Sequence, residues 1–376
     1  MILPTYAAAS AAADRIHRHF AANPIPPTDG PMGAVPDAAT LAALIDAAFW
    51  TSLRREEIYT PRISFAYVAP EQVVHPISFA TPLALDPKDL TKLAAAVERS
   101  GIHLCVWPSA DGLQVWGIAR QIPPLCIVLE IVVPGLLVVK RSPAADGGKF
   151  LNIAVLQGDE IKIIDQQADS GLEAPALLAL LLRPESQLTS DSAVNLLLQL
   201  AVSIRAHGRG GILLVVAAGS EAWKESMLHP ITYAVTPPFT GLADLMRKDL
   251  TGRATRRWED AMARAVDGIA GLTAVDGATV ITADYDLLAF GTKVVRRRGS
   301  PVVSQVIVTE PIEGGSAVTA EPSQLGGTRH LAAAQFVQDQ PDSIALVASQ
   351  DGRFTVFGWS PSEEKVHAHR IDVLLL

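Results

Sequence analysis

Cysteine is scarce in this chain of 376 residues: only Cys105 and Cys126 occur. Each lies in an apolar, strand-like run without paired Cys or His spacing, which gives no support to a zinc site. Two buried thiols in a reducing cytosol are expected, and the protein is expected to be cytoplasmic. Positive charge is also short. Lys and Arg number 31 against 39 Asp and Glu, for a net charge of −8. A general nucleic-acid binder would be basic. A nucleotide remains admissible, because one local cluster of cations suffices to hold phosphates. Long hydrophobic runs are missing too, with no window of 18 uninterrupted apolar residues. The nearest, Leu125 to Val139, carries Glu130 and Pro134 and ends at Lys140-Arg141. It reads as two buried strands, and no membrane association is expected. The alanine-rich first 22 residues read as a helix containing Asp14, Arg15, His17 and Arg18. They lack the basic start and apolar block of a secretory leader.

What is present is enough apolar residue, 49%, to build two cores, and the length fits two domains. Residues 1–36 read as a helical lead and a connector with five prolines. A first domain is expected over residues 37–170. It opens with a helix from Ala38 to Glu56, in which Leu41, Leu44, Ile45, Ala48, Phe49 and Leu53 recur at helical spacing. From Arg62 to Asp165 short apolar runs alternate with turns such as Ala110-Asp111-Gly112, Ala145-Asp146-Gly147-Gly148 and Gly158-Asp159, interrupted by a helix from Lys88 to Ser100. That pattern describes a mixed, mainly antiparallel sheet. The polar stretch Gln166 to Pro175 is the candidate boundary. A second domain, residues 176–376, alternates helices with strands. Helices are expected at Ala176–Leu182, Ser192–Ala206, Arg256–Leu272 and Leu331–Gln338. Strands are expected at Ile212–Val216, Ala278–Thr282, Leu287–Phe290, Val302–Val308, Ile344–Ser349 and Phe354–Trp359. The fold class is α/β (α+β), a mixed sheet flanked by helices behind a mainly antiparallel first domain.

Two segments of the second domain place chemistry at the ends of apolar elements. In Val275-Asp276-Gly277-Ala278-Thr279-Val280-Ile281 a carboxylate stands at the mouth of a β-branched run. In Gly326-Gly327-Thr328-Arg329-His330-Leu331 two glycines precede a hydroxyl, a guanidinium and an imidazole at the start of a helix. Unpaired N–H groups and the helix dipole make such a turn an anion site. Alone, the first is also an ordinary turn before a strand. The second, alone, is also a loop with a Thr N-cap.

In this order the two segments resemble the DGA and RHR motifs of the diadenylate cyclase (DAC, DisA-N-like) family. Ala206 to Val216 is similar to that family's early glycine-then-apolar strand. Ile344 to Arg353 is similar to its late strand, with Ser349 at the tip. The resemblance spans roughly residues 190 to 365. It departs from the family at Leu331, where the third motif position is usually arginine, and at Gln350, where an acid often follows the serine. The position of the first domain ahead of a DAC-like domain resembles the DACNV sensor modules that precede such domains in some bacterial proteins.

The resemblance implies a diadenylate cyclase that condenses two ATP into cyclic di-AMP at a face-to-face homodimer or a transient pairing of domains. Mg²⁺ or Mn²⁺ would be the cofactor, held by Asp276, which also faces the attacking 3′-hydroxyl. Arg329 and His330, with Thr328, would hold the triphosphate. Gly277, Ala278 and Gly327 would let the nucleotide approach the backbone, and Ser349 would add a hydrogen bond. The first domain would regulate the second by binding an unknown ligand or protein, or simply cover it. The alternative is a weakened, DAC-like nucleotide sensor or adaptor that binds ATP or a related nucleotide without turnover, which Leu331 and Gln350 favour.

Other candidates compete. Arg296-Arg297-Arg298 is either a substitute phosphate contact or a solvated loop. Arg253, Arg256 and Arg257 read as surface charge. His367 and His369 would share one face of a strand, as a metal requires, but no third ligand is identifiable. A closing strand ending in Val373 to Leu376 is the plainer reading.

Overall fold

The protein is described by a computed structural model over residues 5–23, 32–143, 150–165, 196–248 and 255–376. Most of the proline-rich connector, the turn at Ala145 to Gly148, the boundary Gln166–Pro175, the helix expected at Ala176–Leu182 and Arg253 lie outside the described residues. The chain divides into two compact units, residues 1–165 and 166–375. Both are mixed sheets flanked by helices, the α+β class expected.

In the first unit, α1 (Ala8–Ala22) and α2 (Ala38–Ser52) precede the strands β1 (Ser64–Tyr67) and β2 (Ile77–Ala84). After α3 (Pro87–Val97) come β3 (His103–Ser109), β4 (Gly112–Ala119), β5 (Ile127–Val133), β6 (Leu136–Arg141), β7 (Leu151–Gln157) and β8 (Glu160–Ile163). Local chemistry sets the helix starts. Asp37 caps α2 through Thr40 N–H at 2.7 Å, and Asp86 caps α3 just before Pro87. α2 stops at Ser52 and not at Glu56, because the following residues close a tight turn in which Glu56 and Tyr59 exchange backbone hydrogen bonds. The strands run in the order β2-β4-β3-β1-β5-β6-β7-β8, and only the β1–β3 pair is parallel. Alternate residues face opposite ways. Phe65, Leu104, Val106, Ile127 and Leu129 pack under the helices, whereas Ala66, Cys105, Trp116 and Val128 form a smaller cluster on the other face.

Both cysteines belong to that smaller cluster, and they stand on opposite sides of β1. Cys105 is opposite Ala66 on β3, and Cys126 precedes Ile127, the β5 partner of Tyr67. Two strands flanking a third are about 10 Å apart, too far for a disulfide. Burial pushes both thiols up to about 12, so they are inert apolar groups.

The second unit opens, among the described residues, with α4 (Leu196–Ala206) and the strand β9 (Gly211–Val216). Then follow β10 (Tyr233–Phe239), α5 (Gly241–Met246), α6 (Arg256–Leu272), β11 (Ala278–Thr282), β12 (Leu287–Thr292), β13 (Val306–Thr309) and β14 (Val318–Ala320). The chain finishes with α7 (Pro322–Leu325), α8 (Thr328–Asp339), β15 (Ile344–Ala348), β16 (Phe354–Ser360) and β17 (Lys365–Arg370). Strand order is β10-β12-β11-β9-β15-β16-β17-β13-β14, with β9–β11 and β13–β17 parallel. β9 is buried along its whole length because both faces are covered. Leu213 and Val215 face α4, α5 and α6, while Ile212, Leu214 and Val216 face α7 and α8.

In this unit, among the described residues, two boundaries differ from the sequence reading by three residues or more. The strand expected at Val302 begins only at Val306, because Val303 N–H is held by the Gln335 side chain at 2.9 Å and Pro301 O accepts from Gln335 and Gln338. The segment is strapped along α8 and is unavailable to the sheet. The last helix starts three residues earlier than Leu331. Thr328 is its first residue, Gly327 is its N-cap, and no side chain caps it.

Candidate functional site

The parallel pair β9–β11 brings the two motif regions to one edge of the sheet. Ala278 is opposite Ile212, so Asp276 and Gly277 emerge next to the loop that feeds β9. On the other side of β9, β15 is antiparallel, with Ala348 opposite Gly211. The Ser349 turn therefore reaches the same edge. α8 packs across β9 and β15 and ends its N-terminus there.

Asp276 is highly exposed, with 87% of its side chain accessible, and its carboxylate is ion-paired with Lys293. The hydrogen bond and charge of Lys293, followed by the charge of Arg329, hold its pKa below the usual carboxylate value. Lys293 escaped the sequence reading. The β11–β12 pairing places it: Ala278 is opposite Thr292, which sets the residue after β12 beside the Asp-Gly turn.

Gly277 has a structural reason to be glycine. Its φ is +120°, and a methyl group there would stand 2.6 Å from the Gly291 carbonyl carbon and 2.7 Å from Thr292 O. Ala278 is buried in the core beneath α8. Gly326 and Gly327 part company. A side chain on Gly326 would meet the His330 ring, 2.6 Å from Cε1, whereas Gly327 faces open space.

Thr328 is exposed on the first turn. Arg329 is half-buried, with its guanidinium against Gly210: a methyl built on that glycine would lie 3.1 Å from Nη1 and 3.1 Å from Ala348 O. His330 points the other way. It is 1% exposed, packs edge-on to Phe357 and is 3.5 Å from the Thr355 hydroxyl. Burial is the first cause of its lowered pKa. The neutral ring props the turn from beneath and presents nothing to solvent. Leu331 is 43% exposed on the outside of the same turn.

Ser349 is half-buried and closes the β15–β16 turn by accepting from Gly352 N–H at 3.2 Å. Gln350 donates to Arg209 O at 3.4 Å. Arg205, at the end of α4, donates to Gly352 O at 3.0 Å. His207 bonds Thr273, three residues ahead of Asp276. The α4–β9 junction thus braces the Asp276 mouth, Arg329 and the Ser349 turn together.

Arg297, the middle of the arginine run, lies elsewhere. Arg297 N–H donates to Asp339 at 2.7 Å, and its side chain pairs with Glu225 at 2.7 Å. Asp339 ends α8, about 16 Å along the axis from its first residue, so Arg297 is no substitute for a cation at position 331. Closer in, Tyr233 and Phe290 stack at 4.9 Å, and Gly291 lies between the Tyr233 ring and Val275. This aromatic patch beside Asp276 also went unread, because it pairs residues 57 apart.

The arrangement offers one exposed carboxylate, two cations and an uncapped helix N-terminus at one edge. Chemically, such a set is suited to a polyanion with a hydroxyl or a divalent ion beside it. Among the described residues no group of three His, Cys, Asp or Glu forms a metal cage. A single exposed carboxylate still fits Mg²⁺, which is commonly held by one or two carboxylates together with substrate phosphates.

Sequence comparison reaches the first unit. The family described as a probable sensor domain, DACNV, matches residues 31–120. The match falls within the first unit and spans α2, β1 to β4 and α3. No curated protein matches the chain. Among the described residues no helix is long and apolar enough to cross a membrane.

Proposed function

We propose that the second unit is a diadenylate cyclase domain controlled by the DACNV-type unit ahead of it. The observation that supports this most is the convergence of Asp276, Lys293 and Arg329 on the uncapped start of α8. In the proposed reaction the 3′-hydroxyl of each ATP attacks the α-phosphate of the other. Two phosphodiester bonds form, two bonds to pyrophosphate break, and two hydroxyl protons are released. Each domain holds one ATP, so two domains must meet.

Asp276 orients the attacking hydroxyl. Arg329, Lys293 and the first-turn N–H groups of α8 stabilise the charge that spreads over phosphate oxygens. A divalent ion, held by Asp276 and substrate phosphate, would supply charge neutralisation and acidify the hydroxyl. His330 acts here as a buried prop for the Gly326–Arg329 turn.

The first test incubates full-length protein with ATP and Mn²⁺ or Mg²⁺ and identifies products by mass spectrometry, with Asp276→Asn as control. Cyclic di-AMP from the wild type alone is the expected result, and equal turnover by Asp276→Asn refutes the assignment.

Exposed Leu331 favours a second reading, a nucleotide sensor without turnover. Leu331→Arg separates the two. A missing transition-state cation costs ~2–4 kcal/mol, about 30- to 1,000-fold in rate. A gain of that order marks a weakened enzyme. ATP binding with silence in both proteins marks a sensor.

A further inference from the structure

Away from this site, the most conspicuous polar groups of the second unit are two imidazoles on β17. His367 and His369 alternate with Val366 and Ala368, which belong to the core facing α7 and α8, so both rings share the opposite face. They are 3% and 2% exposed, with centroids 5.8 Å apart. Each ring commits one nitrogen. His367 Nε2 bonds the Glu363 carboxylate at 3.0 Å, and His369 Nδ1 bonds the Thr309 hydroxyl at 2.6 Å. The remaining nitrogens, His367 Nδ1 and His369 Nε2, are buried with no partner.

An unsatisfied buried polar atom is rare in native proteins and calls for an explanation. Here two occur on one strand, two residues apart. The β16 residue opposite His367 is Gly358, which carries no side chain. A histidine that ligates a metal typically donates its other ring N–H to a carboxylate or similar acceptor, which fixes the tautomer and leaves a lone pair for the ion. Glu363 and Thr309 are placed to do this for the two rings.

We propose that His367 and His369 form a binding site for a single cuprous ion. The donor set selects the ion. Tetrahedral zinc and oxygen-seeking Mg²⁺ or Ca²⁺ need more ligands than two imidazoles, and among the described residues no third His, Cys, Asp or Glu completes a cluster. A d¹⁰ cuprous ion is satisfied by two neutral nitrogens, and imidazole suits copper.

The test loads full-length protein with Cu(I) under anaerobic conditions against a chromogenic cuprous chelator. It then reads copper retained per chain and the copper X-ray absorption spectrum. One copper per chain, two-coordinate and nitrogen-ligated, is expected. Glu363 has 49% of its side chain exposed, so Glu363→Gln leaves the core closed and should weaken binding about 10- to 100-fold. His369→Gln, its fold checked by circular dichroism, should abolish it. Four results overturn the proposal: no copper retained, ligation through cysteine sulfur, equal retention by folded His369→Gln, or unchanged affinity in Glu363→Gln.

Discussion

Lys293 is ion-paired with Asp276 across 17 residues of sequence, because β12 returns antiparallel to β11 and sets its end beside the Asp-Gly turn. The ammonium keeps the carboxylate charged and also faces the edge where α8 begins. A triphosphate would meet Lys293 and Arg329 together. Lys293→Met is therefore expected to weaken ATP binding about 10-fold or more, since a hydrogen bond to a charged group contributes roughly 1.5–3 kcal/mol. The melting midpoint should hardly move, because an exposed pair adds little to stability. Calorimetric titration with ATP checks this, and an unchanged affinity removes Lys293 from phosphate binding.

That pair also shows where sequence reading stops. β11, α6 and β15 were legible because an apolar run or stripe, bounded by a cap or glycine, specifies each of them locally. Thr255, for instance, caps α6 through Trp258 N–H at 3.2 Å. β10 was not legible: it is a largely exposed edge strand containing Pro237 and Pro238, so neither alternation nor apolarity marks it. Lys293 could not be paired with Asp276 by counting, since the β11–β12 register shifts twice. His330 belonged to a motif, but which way it pointed depended on where α8 starts, and an uncapped glycine start leaves little local signal.

The glycines of the two motifs make opposite predictions. Gly277→Ala forces a side chain into φ +120° and against the Gly291–Thr292 backbone. It is expected to cost about 1–3 kcal/mol or more of stability by denaturant unfolding, with or without nucleotide. Gly327→Ala enters open space at φ −74° and should stay within about 0.5 kcal/mol. Any loss of ATP binding in Gly327→Ala is then a ligand effect. If both variants are equally stable, the close packing of Gly277 does not govern the fold.

A pH effect is expected from the first unit. His103 is 4% exposed and bonded to Ser64 at 2.7 Å, and burial lowers its pKa to about 4. The unfolded chain therefore binds more protons than the folded one between the ordinary histidine value, about 6.5, and about 4. Stability is full above that window and is lost as pH falls through it, by up to about 3 kcal/mol. Urea unfolding of wild type and His103→Gln at several pH values checks this. The variant should show a flatter acid limb over that range, and parallel limbs would mean that another group sets the slope.

The brace behind Asp276 can be dissected one bond at a time. His207 Nδ1 accepts from Arg209 N–H at 3.1 Å, which leaves the proton on Nε2 to be donated to Thr273 Oγ1 at 3.1 Å. The Thr273 hydroxyl in turn donates to Ala270 O at 2.7 Å, and Gly211 packs on it so closely that a methyl would stand 2.8 Å from Oγ1. Asparagine at 207 keeps an acceptor at the Nδ1 position but falls short of Thr273. Glutamine reaches Thr273 with its amide and gives up the loop bond. If the latch to Thr273 is what positions Asp276, His207→Gln should retain most of the turnover, or of the ATP affinity if turnover is absent. His207→Asn should lose roughly 3- to 10-fold, the worth of about 1 kcal/mol, in kcat with KM little changed. A general loosening of the loop predicts the reverse order, since asparagine preserves the loop bond, so the ranking of the two variants decides which contact holds the carboxylate in place.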